Sequence, residues 1–300
     1  MNYFDVLIFI LVLFIYLHIY YHYKTSNDME IYTIDEIVKE RLETICNIKQ
    51  PLKFHYKQNK LNQLNLEHFE KNTNNESELN IRDISNINES YLLPFNLKDA
   101  IKVLKNDDEQ NCYITEYNSD FLKSNNFTLY YDELSEFLKP PMTVTTTYDY
   151  LSGVKNSYTP LRYNLHYRNF FYVSNGEIVV KLIPPKDAKF LKINKDYDLF
   201  EFNSFINPWD VSNENMEHFK NVNHMDIVLK QGDILYIPAY WCYSIKYKEQ
   251  SSVCSFQYKT FMNTLAILPE IVMYFLQSQN TKHKTEKTID DILITNKKSS

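Results

Sequence analysis

The sequence predicts a mainly β fold, a double-sheet jelly roll with flanking helices and one N-terminal transmembrane helix. Residues 6–23 carry no formal charge and are almost entirely apolar. From about residue 91 to residue 258, short alternating hydrophobic runs are separated by turn residues, a pattern typical of an antiparallel sandwich or barrel. Helical periodicity occurs mainly towards the two ends of the chain, so helices are expected to flank the sheets.

The composition excludes several classes of protein. The 300 residues include only three glycines, against an average usage of about 7%, so Gly-rich phosphate loops and dinucleotide fingerprints are excluded. The net charge is −6 and no Lys/Arg cluster occurs, which argues against nucleic acid as a partner. The four cysteines lack metal-ligand spacing and are expected to be reduced core residues, with Cys242 to Cys254 the only pairing that hairpin geometry would permit. The four are Cys46, Cys112, Cys242 and Cys254.

The N-terminal segment fits a membrane span. A helix over its 18 uncharged residues, 6–23, would be about 27 Å long, close to the ~30 Å of a bilayer core, with tyrosines at its far end. A signal peptide is the main alternative, but Asp5 stands where a basic residue is expected and no small-x-small cleavage site follows. A buried helix of a soluble protein is the other alternative. Asp5 before the span and Lys24 after it favour a cytoplasmic body.

The remaining chain divides by composition. Residues 25–90 are polar, with a helix predicted at 34–48 and a loop at 71–80. Residues 261–276 are apolar but interrupted by polar residues and a proline, which predicts a packed helix or helix pair and a candidate homodimer face. The predicted divisions are an anchor at 1–24, a polar helical or linker region at 25–90, a barrel at 91–260 and a C-terminal helix with a disordered tail at 261–300.

The barrel region contains two predicted β-hairpins. Runs at 170–173 and 177–183 flank Asn175-Gly176, a strong hairpin signal, and runs at 227–229 and 234–237 flank Gly232. A further strand is predicted at 252–258. A barrel of such strands would enclose a pocket for a metal or a small ligand.

Three blocks in this region carry a family resemblance. They read TPLRYNLHYRNFFYVSNGEIVVKLIPP at 159–185, INPWD at 206–210 and LKQGDILYIPAYWCYSI at 229–245, with looser matches in FLKPP at 137–141 and YDYLSG at 148–153. Their order and spacing resemble the JmjC or cupin-like domain of Fe(II)/2-oxoglutarate oxygenases, over roughly residues 90–260. The resemblance implies a cupin-like double-stranded β-helix.

The resemblance also implies a site, and this chain departs from it. Active members carry a His-x-Asp pair and a second His as a facial triad for iron. Arg162, Asn164 and Tyr243 occupy those positions here. A guanidinium has no lone pair, an amide is a weak donor, and a phenol with a pKa of about 10 is a poor ligand. Shifting the register by one residue places Tyr163 and Leu165 there, so the triad is still absent.

The positions that contact 2-oxoglutarate are partly retained. The lysine that would hold its distal carboxylate is replaced by Ile178, which cannot pair with an anion. Thr159 and Asn169 match the other co-substrate positions. Arg162 could instead replace the charge of the metal and hold a small anion, or simply pair with a neighbouring acid.

The leading hypothesis is a membrane-anchored, non-catalytic pseudo-oxygenase without metal or cofactor. It would act by binding or scaffolding, with a protein partner or a small anion at the pocket. The alternative is a hydroxylase that uses Fe(II) and 2-oxoglutarate with a relocated triad. That triad would draw on His166 or His224 and on an acid such as Asp226 or Asp233. A third hypothesis is a purely structural barrel whose centre is filled by aromatic side chains, with no cavity.

Several of the named residues also have a purely structural interpretation. His166 is expected to be a structural histidine, and His218 and His224 to lie in a solvated loop. Trp209 and Trp241 are expected to be packing residues.

Overall fold

A computed structural model describes residues 2–35, 37–74, 77–85, 91–105 and 112–279. The described residues form two β-sheets with helices around them, which confirms the predicted mainly β, cupin-like fold. The helices are α1 Tyr3–Tyr23, α2 Lys39–Ile48, α3 Leu66–Asn72, α4 Leu97–Lys105, α5 Ser119–Ser124, α6 Asp132–Leu138, α7 Asn213–Phe219, α8 Phe261–Ala266 and α9 Leu268–Ser278.

The strands divide between a larger and a smaller sheet. In spatial order the larger sheet contains β1 Tyr32–Ile34, β2 Leu52–His55, β13 Asp233–Tyr236, β8 Arg168–Asn175, β15 Ser251–Thr260, β6 Thr143–Gly153, β5 Tyr113–Thr115, β3 Glu78–Asp83 and β4 Leu92–Asn96. The smaller sheet contains β10 Ile193–Asp196, β11 Glu201–Ser204, β7 Leu161–Tyr163, β14 Cys242–Tyr247, β9 Glu177–Ile183 and β12 Met225–Lys230.

The two predicted hairpins are wrong, because their strands lie in different sheets. β8 pairs with β13 and β15, whereas β9 pairs with β12 and β14. Gly176, with φ of +79°, and Gly232, with φ of +89°, therefore turn the chain from one sheet to the other. An Asn-Gly signal specifies the turn and not the partner of each strand. In a jelly roll, strands that follow each other in sequence can belong to opposite sheets.

The expectation of reduced cysteines agrees with the structure, and the one pairing that a hairpin would have permitted, Cys242 to Cys254, is not a disulfide. Cys242 lies on β14 in the smaller sheet and Cys254 on β15 in the larger sheet. All four cysteines are free thiols. Burial raises the pKa of Cys242 to about 12 and that of Cys254 to about 12, so both remain neutral.

Side-chain alternation on β8 explains why the run FFYV is continuously apolar. Phe170 and Tyr172 point outwards into a core shared with the N-terminal helices, whereas Phe171 and Val173 point inwards, between the sheets. Both faces of the larger sheet are therefore covered.

The region at 25–90 contributes more strand than the sequence indicated. Tyr32–Ile34 pairs in parallel with Leu52–Phe54, so the helix predicted from residue 34 begins only at Lys39. β2 pairs with β13, and β3 joins β5 within the larger sheet. Part of the loop predicted at 71–80 also belongs to β3. The tail beyond residue 279 lies outside the described residues, and the predicted domain boundaries stay predictions.

The helices at the two ends agree with the sequence. α1 covers the predicted span, has a mean hydropathy of 2.2 over its most apolar 18-residue window, and is long and apolar enough to cross a membrane. A signal sequence would pass the same test. The apolar segment at 261–276 forms the expected helix pair, α8 and α9.

Candidate functional site

A cavity of about 250 Å³ lies between the two sheets. The smaller sheet contributes Arg162 on β7 and Tyr243 on β14, which are direct cross-strand partners. The larger sheet contributes Asp149, Phe171 and Ser255, which stand in register on β6, β8 and β15. The third hypothesis, a barrel centre filled by aromatic side chains, is therefore wrong.

The three positions where family members carry metal ligands all line this cavity. Arg162, Asn164 and Tyr243 meet at its wall, and Asn164 Nδ2 donates a hydrogen bond to Tyr243 Oη at 3.0 Å. Burial raises the pKa of Tyr243, so its side chain is a neutral phenol rather than a phenolate. The structure thus brings together the three positions that the sequence identified, and two of their side chains, Asn164 and Tyr243, are hydrogen-bonded to each other.

Arg162 belongs to a closed ring of four buried charged groups. Its guanidinium donates to Glu116 at 2.5 Å and to Glu201 at 2.9 Å. Arg82 donates to the other oxygen of Glu201 at 2.9 Å. Arg82 Nε also lies 2.7 Å from the other oxygen of Glu116, without an aligned hydrogen bond, so this contact is electrostatic. All four side chains are at most 6% exposed. The ring carries no net charge.

Neighbouring groups hold the ring in its charged form. Burial opposes the charge of Arg162, but Glu116, Tyr117, Tyr243 and Glu201 together outweigh it, and the pKa of Arg162 is raised well above its usual value. Burial would raise the pKa of Glu201, but Arg82 and Arg162 lower it further than burial raises it. The phenol ring of Tyr117 lies over both guanidiniums, with its centroid 5.8 Å from Cζ of Arg82 and 5.5 Å from Cζ of Arg162. The backbone of Tyr117 has a φ of +61°, which is rare for an aromatic residue.

The sequence did not predict the partners of Arg162. Glu116 follows β5 directly, Arg82 lies on β3 and Glu201 begins β11, so the four residues come from distant parts of the chain. One usable signal was the scarcity of arginine, since the chain has only four. Another was the position of Glu116 and Arg82 inside apolar runs, YITEY and NIRDI, where an unpaired charge would be costly.

The three co-substrate positions do not line the cavity. Thr159 Oγ1 accepts a hydrogen bond from the backbone N–H of Ile245, and Ile178 lies in the apolar core. Asn169 is 1% exposed, and neither polar atom of its amide has a partner. It stands opposite Gln257 on β15, which does line the cavity. Asn169 and Gln257 therefore point to the same side of the larger sheet, but only Gln257 lines the cavity.

The cavity also contains polar groups that have no partner in the described part of the chain. Burial lowers the pKa of Lys259, whose ammonium lies 5.3 Å from the ring centroid of Phe200 and forms no ion pair with any described residue. Burial and Lys259 lower the pKa of His166 to about 3, so the imidazole is neutral, and its buried Nδ1 has no partner. Ser255 Oγ is also buried without one. His166 is therefore a wall residue of the cavity.

Asp149 is the acid of the cavity wall. Burial raises its pKa to about 7, although its carboxylate accepts hydrogen bonds from the backbone N–H groups of Tyr117, Asn118 and Tyr150. Asp149 is consequently part charged and part neutral near pH 7.

The residues around the cavity do not fit Fe(II). Within the described chain, no group of three His, Cys, Asp or Glu side chains could hold a metal ion. The acids proposed for a relocated triad are engaged elsewhere, Asp226 with Lys181 and Asp233 with Lys53. Neither acid lines the cavity that His166 lines. His218 lies on α7, and His224 stacks near Phe219.

The remaining singled-out residues serve the framework. Arg168 is buried and donates to both carboxylate oxygens of Glu43, at 2.9 and 2.5 Å, which ties β8 to α2. Trp241 is fully buried, and Trp209 Nε1 donates to Ser244 Oγ at 2.8 Å. These contacts agree with the structural interpretation of both tryptophans.

Comparison with known proteins adds two findings. The family model for the cupin-like domain matches residues 33–264. Over 99 residues the chain is 30% identical to JmjC domain-containing protein D of Dictyostelium discoideum. That alignment covers 33% of this chain and 22% of the relative, so the chain matches far less than two thirds of that protein.

Proposed function

The chain belongs to the cupin-like domain family, and from that premise we propose that it is a non-catalytic member, anchored to a membrane by α1, whose barrel cavity binds a small anion. The observation that carries the proposal is the ring of Arg82, Glu116, Arg162 and Glu201, in which Arg162 occupies one of the positions where family members carry a metal ligand. The alternative is an Fe(II)/2-oxoglutarate-dependent hydroxylase with an atypical metal site.

The donor set argues against iron chemistry. Arg162 is a permanent cation with no lone pair, so it repels a metal ion instead of binding it. The two nearby carboxylates are each shared between Arg82 and Arg162. Releasing one carboxylate to a metal would leave two buried guanidiniums with a single carboxylate between them, which costs several kcal/mol. The ring therefore replaces a metal centre as a structural element.

The unpaired polar groups support an anionic ligand. Lys259 contributes a desolvated positive charge to the cavity with no ion pair among the described residues. Ser255 Oγ and His166 Nδ1, both in the cavity wall, have hydrogen-bonding capacity that no described residue satisfies. A carboxylate or phosphate would satisfy these groups and balance Lys259. The volume of about 250 Å³ suits a small molecule.

A metal and turnover experiment tests the absence of catalysis. The full chain in detergent is titrated anaerobically with Fe(II), and bound metal and 2-oxoglutarate consumption are measured. We expect no stoichiometric iron and no 2-oxoglutarate-dependent turnover. Stoichiometric iron together with turnover would establish the hydroxylase alternative and overturn the proposal.

A calorimetric titration tests the anion site. The full chain is titrated with inorganic phosphate and with succinate. The same titrations are made with Lys259→Met, which keeps most of the aliphatic part of the side chain, and with Lys155→Met, a control at an exposed position. A charge-assisted hydrogen bond contributes about 1.5–3 kcal/mol, so Lys259→Met should weaken binding about tenfold or more and Lys155→Met should not. Failure of both anions to bind, or equal binding by Lys259→Met, would contradict the anion site without affecting the result with iron.

A further inference from the structure

We propose that the folded body also contacts the bilayer directly, through an apolar surface beside the anchor helix. This inference rests on the proposed insertion of α1. We call this surface the lipid-facing surface. It consists of exposed apolar residues on α9 and at the adjoining edge of the barrel: Met142, Val144, Phe261, Leu268, Val272, Met273, Tyr274, Phe275 and Leu276.

α9 does not bury its apolar residues as a surface helix of a soluble protein does. Five consecutive apolar side chains, residues 272–276, are exposed, with Phe275 at 57% and Leu276 at 59%. No residue of α9 is buried, and Glu270 in its first turn is its only charged residue. A helix that is apolar on its outer face requires an apolar environment there.

The anchor helix is fixed to the body next to α9. Tyr23 Oη donates to the carbonyl of Ala266 at 2.6 Å, and His22 is buried with a ring nitrogen 3.3 Å from Asn263 Nδ2. Both partners lie on α8, which leads into α9 through Ile267. The membrane that receives α1 therefore begins beside α9.

The depth of the contact also indicates lipid. A groove of about 680 Å³ between α1 and the body is lined by Phe14 and Leu17 of α1, by Met142 and Phe261 of the body, and also by Glu43 and Asn47 of α2. Phe14 precedes Tyr23 by nine residues, or about 13 Å along a helix axis. If residues 6–23 cross a core about 30 Å thick, this level lies within the body-proximal half of the bilayer. Met142, which is 76% exposed, would then face acyl chains.

Spin-label accessibility in lipid nanodiscs tests this arrangement. The full chain is reconstituted in phosphatidylcholine and phosphatidylglycerol at three to one, in a Cys112→Ser background, because the other three cysteines are buried. Labels are placed by Phe275→Cys, Val272→Cys and Met142→Cys, with Phe9→Cys as the reference within α1. Glu217→Cys on α7 is the control in water, because that residue is exposed.

We expect the labels at 275, 272 and 142 to be highly accessible to oxygen, as the label at 9 is. Their accessibility to a water-soluble nickel complex should be at least fivefold lower than that of the label at 217. If the label at 9 is in lipid while the other three are as accessible to nickel as the control, the inference is overturned and the anchor stands. If the label at 9 is itself in water, the anchor fails. Protection from both reagents would mean that a second copy or residues 280–300 cover the surface, which also overturns the inference.

Discussion

Arg82 and Arg162 contact the same two carboxylates, those of Glu116 and Glu201, and so link the two sheets inside the barrel. Arg82 and Glu116 belong to the β3–β5 edge of the larger sheet, whereas Arg162 and Glu201 belong to the smaller sheet. The link between the sheets is made by four charges that sum to zero.

Removal of one member of the ring should be strongly destabilising. Arg162→Met leaves two buried carboxylates with only Arg82, and breaking a buried ion pair in this way costs about 3–5 kcal/mol. The measurement is urea unfolding of the full chain in detergent micelles. Arg41→Met is the matched control, because Arg41 is exposed and should change the free energy of unfolding by less than about 0.5 kcal/mol.

A double variant separates charge imbalance from lost packing. Glu116→Gln combined with Arg162→Met returns the ring to zero net charge, so the double variant should be less destabilised than the sum of the two single variants. Purely additive effects would mean that the four charges do not act as one unit.

The turns between the sheets depend on glycine. A Cβ atom at position 232 would lie 2.4 Å from His55 Cε1, at a backbone φ of +89°. Gly232→Ala should therefore cost about 1–3 kcal/mol, part from the contact and part from the backbone. In a His55→Ala background the contact disappears, so Gly232→Ala should cost less there. An unchanged cost in both backgrounds would assign the whole effect to the backbone.

The sequence predicted the local features of this fold better than its pairings. The continuous apolar run of α1 and the turns at Gly176 and Gly232 are specified by residues that are neighbours in sequence. The structure has a helix over that run and a positive φ at both glycines. Which strand lies beside which depends on contacts far apart in sequence, so β8 and β9 were paired wrongly.

For the candidate site too, the sequence indicated positions within strands but not the contacts between strands. The family blocks fix spacing within strands, and the structure places Arg162 and Tyr243, both named from those blocks, in the wall of one cavity. Ile178 does not reach the cavity, since its side chain packs in the apolar core. Glu201 could not be predicted as a partner, because the contact depends on how β11 pairs with β7.

Lys49 connects the C-terminal end of α1 to the body. Its ammonium donates to the carbonyls of Tyr21, His22 and Lys24 at the C-terminal end of α1, the last two at 2.8 and 2.7 Å. A cation at that end also interacts favourably with the helix dipole. Lys49→Met should loosen this connection and speed trypsin cleavage after Lys24 several-fold in nanodiscs. Lys57→Met, at an exposed position, is the control and should leave that cleavage rate unchanged.

The cavity contains two groups whose effects on stability oppose each other as pH changes. His166, with a pKa of about 3, stays neutral in the folded state while the unfolded imidazole gains a proton below about 6.5, so its contribution falls as pH falls from 6.5 to 3. Asp149, with a pKa of about 7, holds a proton in the folded state that the unfolded chain releases above about 3.9. Its contribution is therefore lost as pH rises to 7.

Between about pH 4.5 and 6 the pH dependences of the free energy of unfolding that come from His166 and Asp149 should cancel. A variant that lacks one of the two groups should reveal the pH dependence due to the other. In Asp149→Asn the His166 contribution remains, so the free energy of unfolding should rise with increasing pH, relative to the parent, by up to about 1.4 kcal/mol per pH unit. In His166→Gln the Asp149 contribution remains, and the relative slope should have the opposite sign. Urea unfolding at several pH values measures both slopes, and since each is a difference from the parent, a uniform loss of stability does not alter it. Slopes of the same sign in the two variants would show that these groups do not titrate as their burial implies.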